Sequence, residues 1–278
     1  MNRSSTVSVR LLAVEGDSGA RRTDRLAVEE PLEIRAAGPG QKAVRVAVTM
    51  RTPGDDFALA AGFLHGEGLI GAGDVHAIRY CDDVELPEQQ YNVVTVHLRR
   101  PFDDGGLQRN FYATSSCGIC GKSSIEQIEI TCAPIPEGFA VPSWLLGTLP
   151  DILRERQAVF DRTGGLHAAG LFDATGNLLD LREDVGRHNA LDKLIGSRLL
   201  AERVPLSDTI VLVSGRASFE LVQKAAAAGA PVLCAISAPS SLAVEAATRL
   251  GVTLVGFLRD DRLNVYAHPE RVLVGAPA

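Results

Sequence analysis

The sequence has no surplus of positive charge. Its 28 Lys and Arg stand against 34 Asp and Glu in 278 residues, a net charge of −6. That balance removes the bulk electrostatic attraction on which a nucleic-acid surface depends. An even set of cysteines is also missing: five fit a disulfide framework poorly. Met1 to Glu15 holds no uninterrupted apolar stretch of the kind that opens a secreted chain, so a cytoplasmic protein with reduced thiols is expected. No Gly-x-Ser-x-Gly elbow, His-Glu-x-x-His helix or Gly-x-Gly-x-x-Gly fingerprint occurs, which removes the common hydrolase, zincin and dinucleotide signatures. One uncharged run, Ala225 to Val244, has the length of a membrane span. Gly229, Pro231, Pro239 and a serine cluster divide it into a helix end, a strand and a turn, so it reads as buried core.

What is present suits a packed α/β protein. At 46% hydrophobic residues the chain can bury a core without covalent staples, and its length suggests two domains. Residues 1–140 read as a strand-rich domain, with strands at Thr6 to Val14, Ala43 to Met50 and Asn92 to Leu98 and a weaker one at Leu26 to Ile34, interrupted by Pro31. A helix is expected after Thr52, with Thr52 as cap, Pro53 in the first position, Asp55 and Asp56 at its positive end, and Phe57, Ala60, Ala61 and Leu64 on one face against a sheet. Residues 141–278 read as an α/β domain. Pro150 to Phe160 suggests a helix, and a hairpin joins His167 to Phe172 with Asn177 to Leu181. A helix from Arg187 to Glu202 leads into a βαβαβ run: strand Thr209 to Val213, helix Ala217 to Ala228, strand Val232 to Ile236, helix Ser241 to Leu250, strand Val252 to Leu258. Ligands of such layers favour the crevice beyond the strands' carboxyl ends. Those ends are Ser214-Gly-Arg-Ala-Ser218, Ser237-Ala-Pro-Ser-Ser241 and Leu258-Arg-Asp-Asp-Arg262.

Three segments carry chemistry. Ser115-Ser-Cys117-Gly-Ile-Cys120-Gly-Lys-Ser123 sets two thiols three residues apart on a loop of small residues. The thiolate is the reactive form, and neighbouring backbone N–H groups or Lys122 would favour it. A structural zinc site would need further ligands, from Cys81, Cys132 or a histidine. A thioredoxin-like disulfide would sit at a strand-to-helix junction, and a phosphate loop would need a glycine where Ser116 stands. The remaining chemical reading is sulfur relay through an exposed thiol, set against a loop with two idle thiols. The second segment is Arg182-Glu-Asp-Val-Gly-Arg187-His188-Asn-Ala-Leu-Asp192-Lys193, where Gly186, Arg187 and His188 at a helix start offer donors and charge to an anion. The plainer reading is a solvated helix face, with Asp184 and Asp192 around a surface His188. The third is Phe257-Leu-Arg259-Asp-Asp261-Arg262, whose arginines can grip phosphate and whose carboxylates can accept from a guanine edge. His167 and His188 are candidates to assist Cys117. Cys81, Cys132 and Cys234 are expected to be packing residues.

Together these pieces resemble the FdhD family of formate dehydrogenase accessory sulfurtransferases. The resemblance rests on Ser116 to Lys122, Thr163 to Ala169, Asp184 to Lys193, Ser214 to Glu220 and the closing Gly256-Phe-Leu-Arg259. It implies a cytoplasmic sulfur carrier that takes persulfide sulfur from a cysteine desulfurase and passes it to the molybdenum (or tungsten) bis-molybdopterin guanine dinucleotide cofactor destined for formate dehydrogenase. By motif, Cys117 would bear the persulfide with Cys120 as its partner. Phe257, Leu258, Arg259, Asp260, Asp261 and Arg262 would hold the cofactor, with GDP mimicking its guanine end. The second half would resemble the cytidine-deaminase fold without deaminase zinc chemistry, because Ala190 stands where that site needs glutamate. No resident metal, nucleic acid or membrane is implied. A two-ended cofactor would suit a homodimer. The competing reading is a chaperone that binds the cofactor and keeps its cysteine pair for structure.

Overall fold

A computed structural model of the chain describes residues 4–81, 91–103, 132, 135, 137–259 and 262–275. The chain opens on a hairpin, β1 (Thr6–Glu15) antiparallel to β2 (Ser18–Ala27). β2 was not expected, because SGARRTDRLA has no apolar alternation and is exposed almost throughout. The weak strand expected over Leu26 to Ile34 straddles the break before β3 (Glu30–Ala37). With β4 (Val44–Arg51), β5 (Val75–Tyr80) and β6 (Val93–Leu98), β3 forms a four-stranded sheet in the order β4-β3-β6-β5, in which β3 and β6 run parallel. Leu32, Ile34 and Ala36 of β3 and Val94, Val96 and Leu98 of β6 alternate onto one face and close over Leu59, Ala60 and Leu64 of helix α1 (Asp56–Gly66).

Helix α1 starts later than its sequence suggests. Thr52 does not cap it: Thr52 Oγ1 accepts from Val185 N at 3.2 Å, and Asp55, in a left-handed conformation (φ 55°), precedes the first turn. A long-range hydrogen bond has taken the hydroxyl that a local cap would use.

The second half is built on a six-stranded sheet, ordered β13-β12-β11-β10-β8-β9. β8 (His167–Asp173) and β9 (Leu178–Asp184) form the expected hairpin, and β10 (Thr209–Val213), β11 (Val232–Ala235) and β12 (Thr253–Arg259) are mutually parallel. β13 (Arg262–Ala267) returns antiparallel along β12 as an edge, with Arg262 paired to Arg259, so β12 does not finish as an open last strand. Helix α2 (Ser143–Arg156) begins seven residues before the expected position and contains Pro150. Leu145, Leu146, Leu149 and Leu153 fall on one buried stripe, whose burial at about 1.5–3 kcal/mol each outweighs the roughly 3 kcal/mol that an interior proline costs. A short helix α3 (Phe160–Thr163) follows.

The sheet is covered on both faces. Ile210, Leu212, Val232 and Val255 meet α2, while Val211, Val213, Leu233 and Leu254 meet α4 (Arg187–Leu200), α5 (Phe219–Ala227) and α6 (Ser241–Leu250). A small parallel pair, β7 (Val141–Pro142) with β14 (Val272–Leu273), adds to the α2 side. Ala225 to Val244 spans the end of α5, β11 and the start of α6, and among the described residues no helix is long and apolar enough to cross a membrane.

α1 packs on α4 as well as on its own sheet, and this crossing joins the halves. A Cβ on Gly62 would stand 1.9 Å from Asp192 O, and one on Gly196 would stand 1.8 Å from Ala58 O, so the two helices touch backbone to backbone. Buried ion pairs surround the crossing. Lys193 Nζ lies 2.6 Å from Asp184 Oδ2 and donates to Thr52 O at 2.8 Å. Asp184 also accepts from Thr52 N, Gly186 N and Asn189 Nδ2. Lys224 Nζ lies 2.9 Å from Asp192 Oδ1 and 3.2 Å from Glu67 Oε1. Burial pushes the Asp192 carboxyl up to about 6, against the pull of Lys224. Burial would also lower Lys224, but Asp192 and Glu67 outweigh it and hold the ammonium protonated. The solvated-face reading of this helix is therefore corrected: Asp184, Asp192 and Lys193 are all buried.

Candidate functional site

The crossing fixes the start of α4, and the start of α4 is where chemical groups gather. Gly186, extended at φ −98°, turns the chain out of β9, and Arg187 and His188 form the first turn. β8 begins beside them with His167. The end of β10 is stitched to β8 by two hydrogen bonds, Ser214 N to Ala168 O at 3.0 Å and Ala168 N to Ser214 Oγ at 2.9 Å. Gly215 follows, and its ideal Cβ would lie 3.5 Å from His167 Nδ1 and 3.6 Å from Arg187 Cδ, so the backbone runs close beneath both side chains. Ser218 precedes α5. His188 Nε2 and Ser218 Oγ form a hydrogen-bonded pair at 3.0 Å, and Glu220 Oε2 stands 3.7 Å from the same nitrogen.

The electrostatics favour a neutral imidazole beside an ionised carboxylate. Burial first, then the charges of Arg187 and Lys224, push His188 down to about 4, with Glu220 opposing. Burial and Arg187 lower His167 as well, with Asp184 opposing. Burial acts to raise Glu220, but its own backbone N–H and Ser218 outweigh it and keep the carboxyl below its usual range. Arg187 is left over: its Nε is buried and has no hydrogen-bond partner among the described residues. An orphaned guanidinium N–H at a helix start is a donor awaiting an acceptor, and an anion such as a phosphate supplies one.

The other strand ends close on this cluster through the backbone. Ser240 N donates to Ala217 O at 3.0 Å, Ala217 and Pro239 form a parallel bridge, and Phe257 N donates to Ser237 O at 3.2 Å. The three loops that the parallel layer nominates are thus contiguous along one edge. Gly256 permits this approach, since a Cβ there would meet Pro239 Cδ at 2.8 Å. Phe257 follows at φ 52° with its side chain 46% exposed. Arg259 and Arg262 are paired in register across the hairpin, and both are exposed, as is Arg216. Leu258 differs, because its side chain is fully buried in the core on the α2 side and it has only backbone to offer a surface ligand. Cys117, Cys120, Asp260 and Asp261 lie outside the described residues.

Of the residues singled out in the sequence, His167, Arg187, His188, Ser214 and Ser218 come together, and Arg259 and Arg262 lie on the hairpin bonded to the neighbouring loop. Glu220 joins the cluster although the sequence singles out no role for it. Its signal was an acid in the first turn of a helix whose preceding loop was already a candidate. Among the remaining cysteines, Cys234 is wholly buried in β11 and its thiol is pushed up by burial, as suits a packing residue. Cys132 packs against the core beneath α4 to α6. Cys81 is half-buried and receives Arg35 Nη1 at 3.9 Å, so it touches a cation and not only apolar neighbours.

The FdhD/NarQ family matches residues 27–273. A sulfur carrier protein FdhD of Streptomyces avermitilis is 51% identical over 277 residues, covering 97% of this chain and 96% of the relative. One from Mycolicibacterium paratuberculosis is 54% identical, over 90% of this chain and 93% of the relative, and one from the archaeon Saccharolobus solfataricus is 42% identical over 94% and 96%. Among solved structures, a formate dehydrogenase accessory protein from Desulfotalea psychrophila superposes with a TM-score of 0.75 at 26% identity, covering 97% of this chain and 100% of its own. With a family match over nearly its whole length and relatives above half identity, this chain belongs to the FdhD/NarQ family.

Proposed function

We propose that this chain is a sulfurtransferase that carries persulfide sulfur on Cys117 and delivers it to the bis-molybdopterin guanine dinucleotide cofactor before that cofactor enters formate dehydrogenase. The observation that carries the reading is family membership, with relatives of about half identity named as sulfur carriers. In the first step the Cys117 thiolate attacks the outer sulfur of a cysteine desulfurase persulfide. That S–S bond breaks, the desulfurase leaves as its thiolate, and a new S–S bond forms on Cys117 with no net oxidation. Cys120, three residues away, is placed by sequence to assist release.

The cofactor enters as substrate, and the strand-end cluster is what supports its binding there. Arg187 brings an unpartnered donor, Arg259 and Arg262 bring bidentate cations, and the exposed Phe257 ring offers a face for stacking a guanine. GDP is the probe for that end. The parallel β10-β11-β12 layer with helices on both faces is the part for which we propose a cytidine-deaminase-like arrangement. Two copies would offer the cofactor's two guanine ends equivalent sites, and the cytosol is the compartment that keeps both thiols reduced.

The test is mass spectrometry after incubation with a desulfurase and cysteine. An adduct of about 32 Da, one sulfur atom, is expected on Cys117. Formate dehydrogenase matured with Cys117→Ala or Cys120→Ala should lack its terminal sulfur. Full sulfuration with both variants would favour the cofactor chaperone instead.

A further inference from the structure

A second concentration of basic side chains lies on the four-stranded sheet, away from the strand-end cluster. The parallel strands β3 and β6 end side by side at Ala37 and His97, and β5 starts alongside them. A cavity of about 600 Å³ occupies this corner, within the size range of small-molecule sites. It is lined by His76, Arg79, His97 and Arg99 and by the turn from Gly38 to Gln41, and among the described residues no carboxylate lines it. Val94, Val96 and Leu98 of β6 face α1, so alternation sends His97 to the opposite side of the sheet.

Two details distinguish this corner from a chance group of surface charges. First, its wall is built before any ligand arrives. Gln41 Oε1 accepts from Gly38 N at 2.9 Å and from Phe102 N at 2.7 Å, while Gln41 Nε2 donates to Phe102 O at 3.1 Å. Only glycine fits at position 38, where a Cβ would lie 2.3 Å from Gln41 Oε1 and 2.6 Å from Pro101 Cα. Second, the basic side chains are unspent. None of the side chains of His76, Arg79, His97 and Arg99 has a hydrogen-bond or ion-pair partner among the described residues. The nearby Asp74 carboxylate is already engaged by Arg100 Nε at 2.8 Å and Gly71 N at 2.7 Å. Arginines that share a cavity wall with no carboxylate among the described residues repel one another, and that repulsion is relieved when an anion enters.

We infer that this cavity is an anion site for a diphosphate-bearing ligand, separate from the strand-end cluster and sharing no residue with it. Two guanidinium forks and a concave turn suit the paired, closely spaced charges of a diphosphate.

The experiment is calorimetric titration of the full-length protein carrying Arg187→Ala, Arg259→Ala and Arg262→Ala, which silences the strand-end cluster, with inorganic pyrophosphate at fixed ionic strength. Saturable one-to-one binding is expected, weakened at least tenfold by Arg79→Ala with Arg99→Ala and weakened less by Arg79→Lys with Arg99→Lys. A parallel titration of the same strand-end variant with GDP separates the two sources of the group: tighter binding than pyrophosphate assigns a nucleotide, weaker binding a free diphosphate. Absence of saturable heat, or unchanged affinity once Arg79→Ala and Arg99→Ala are added, would overturn the assignment. Failure of sulfur transfer by Cys117 would leave it standing, because the readout is binding alone.

Discussion

The polar groups around the α1–α4 crossing and those at the strand ends are the same residue types, and they are used in opposite ways. At the crossing, Asp184 accepts from four donors and Lys193 is almost fully enclosed. At the strand ends, Arg187 Nε is buried with nothing to bond and Arg216, Arg259 and Arg262 stand exposed. A saturated network holds a structure in place, while an unsaturated one holds capacity for a ligand. The two are consecutive in sequence: Arg187 and His188 occupy the first turn of α4, and Asp192 and Lys193 the second. One helix therefore carries the anchor and the instrument.

The comparison can be broken first at its strongest point. Lys193→Met leaves the Asp184 carboxylate buried without its cation, and denaturant unfolding should show a loss of about 3–5 kcal/mol. A loss under 1 kcal/mol would mean that the crossing is not the anchor. Arg187→Ala should do the reverse, weakening GDP binding at least tenfold while stability changes by less than about 0.5 kcal/mol. A large loss of stability there would place Arg187 in the anchor after all. The smallest effect concerns acid. His188 has a folded pKa near 4, below its ordinary value of 6.5, so its contribution is fully present above 6.5 and fades as pH falls toward 4. His188→Gln should flatten the stability profile across that window, measured by thermal unfolding at stepped pH. An unchanged slope would show that His188 is not held neutral.

Much of the second half was legible because its strands are short apolar runs between helices with apolar stripes. Thr209 to Val213 and Ser241 to Leu250 are found as read. The convergence of the strand-end loops was legible too, since parallel strands must all end on one edge. Elements without apolar alternation were not. β2 is exposed nearly throughout, and the continuation past Arg259 into β13 has only an edge to show. The pairing of His188 with Ser218 spans 30 residues, and no local period encodes such a contact. Thr52 illustrates the converse, a sound local cap signal overridden by a partner 133 residues away.

The glycine contact between α1 and α4 also supplies a rule for reading other chains. With carbonyl oxygens under 2 Å from where a Cβ would sit, positions 62 and 196 are closed to the other nineteen side chains unless the helices separate. A sequence that keeps a Cys-x-x-Cys pair but replaces either glycine must therefore join its halves in another way. These two positions sort relatives by architecture.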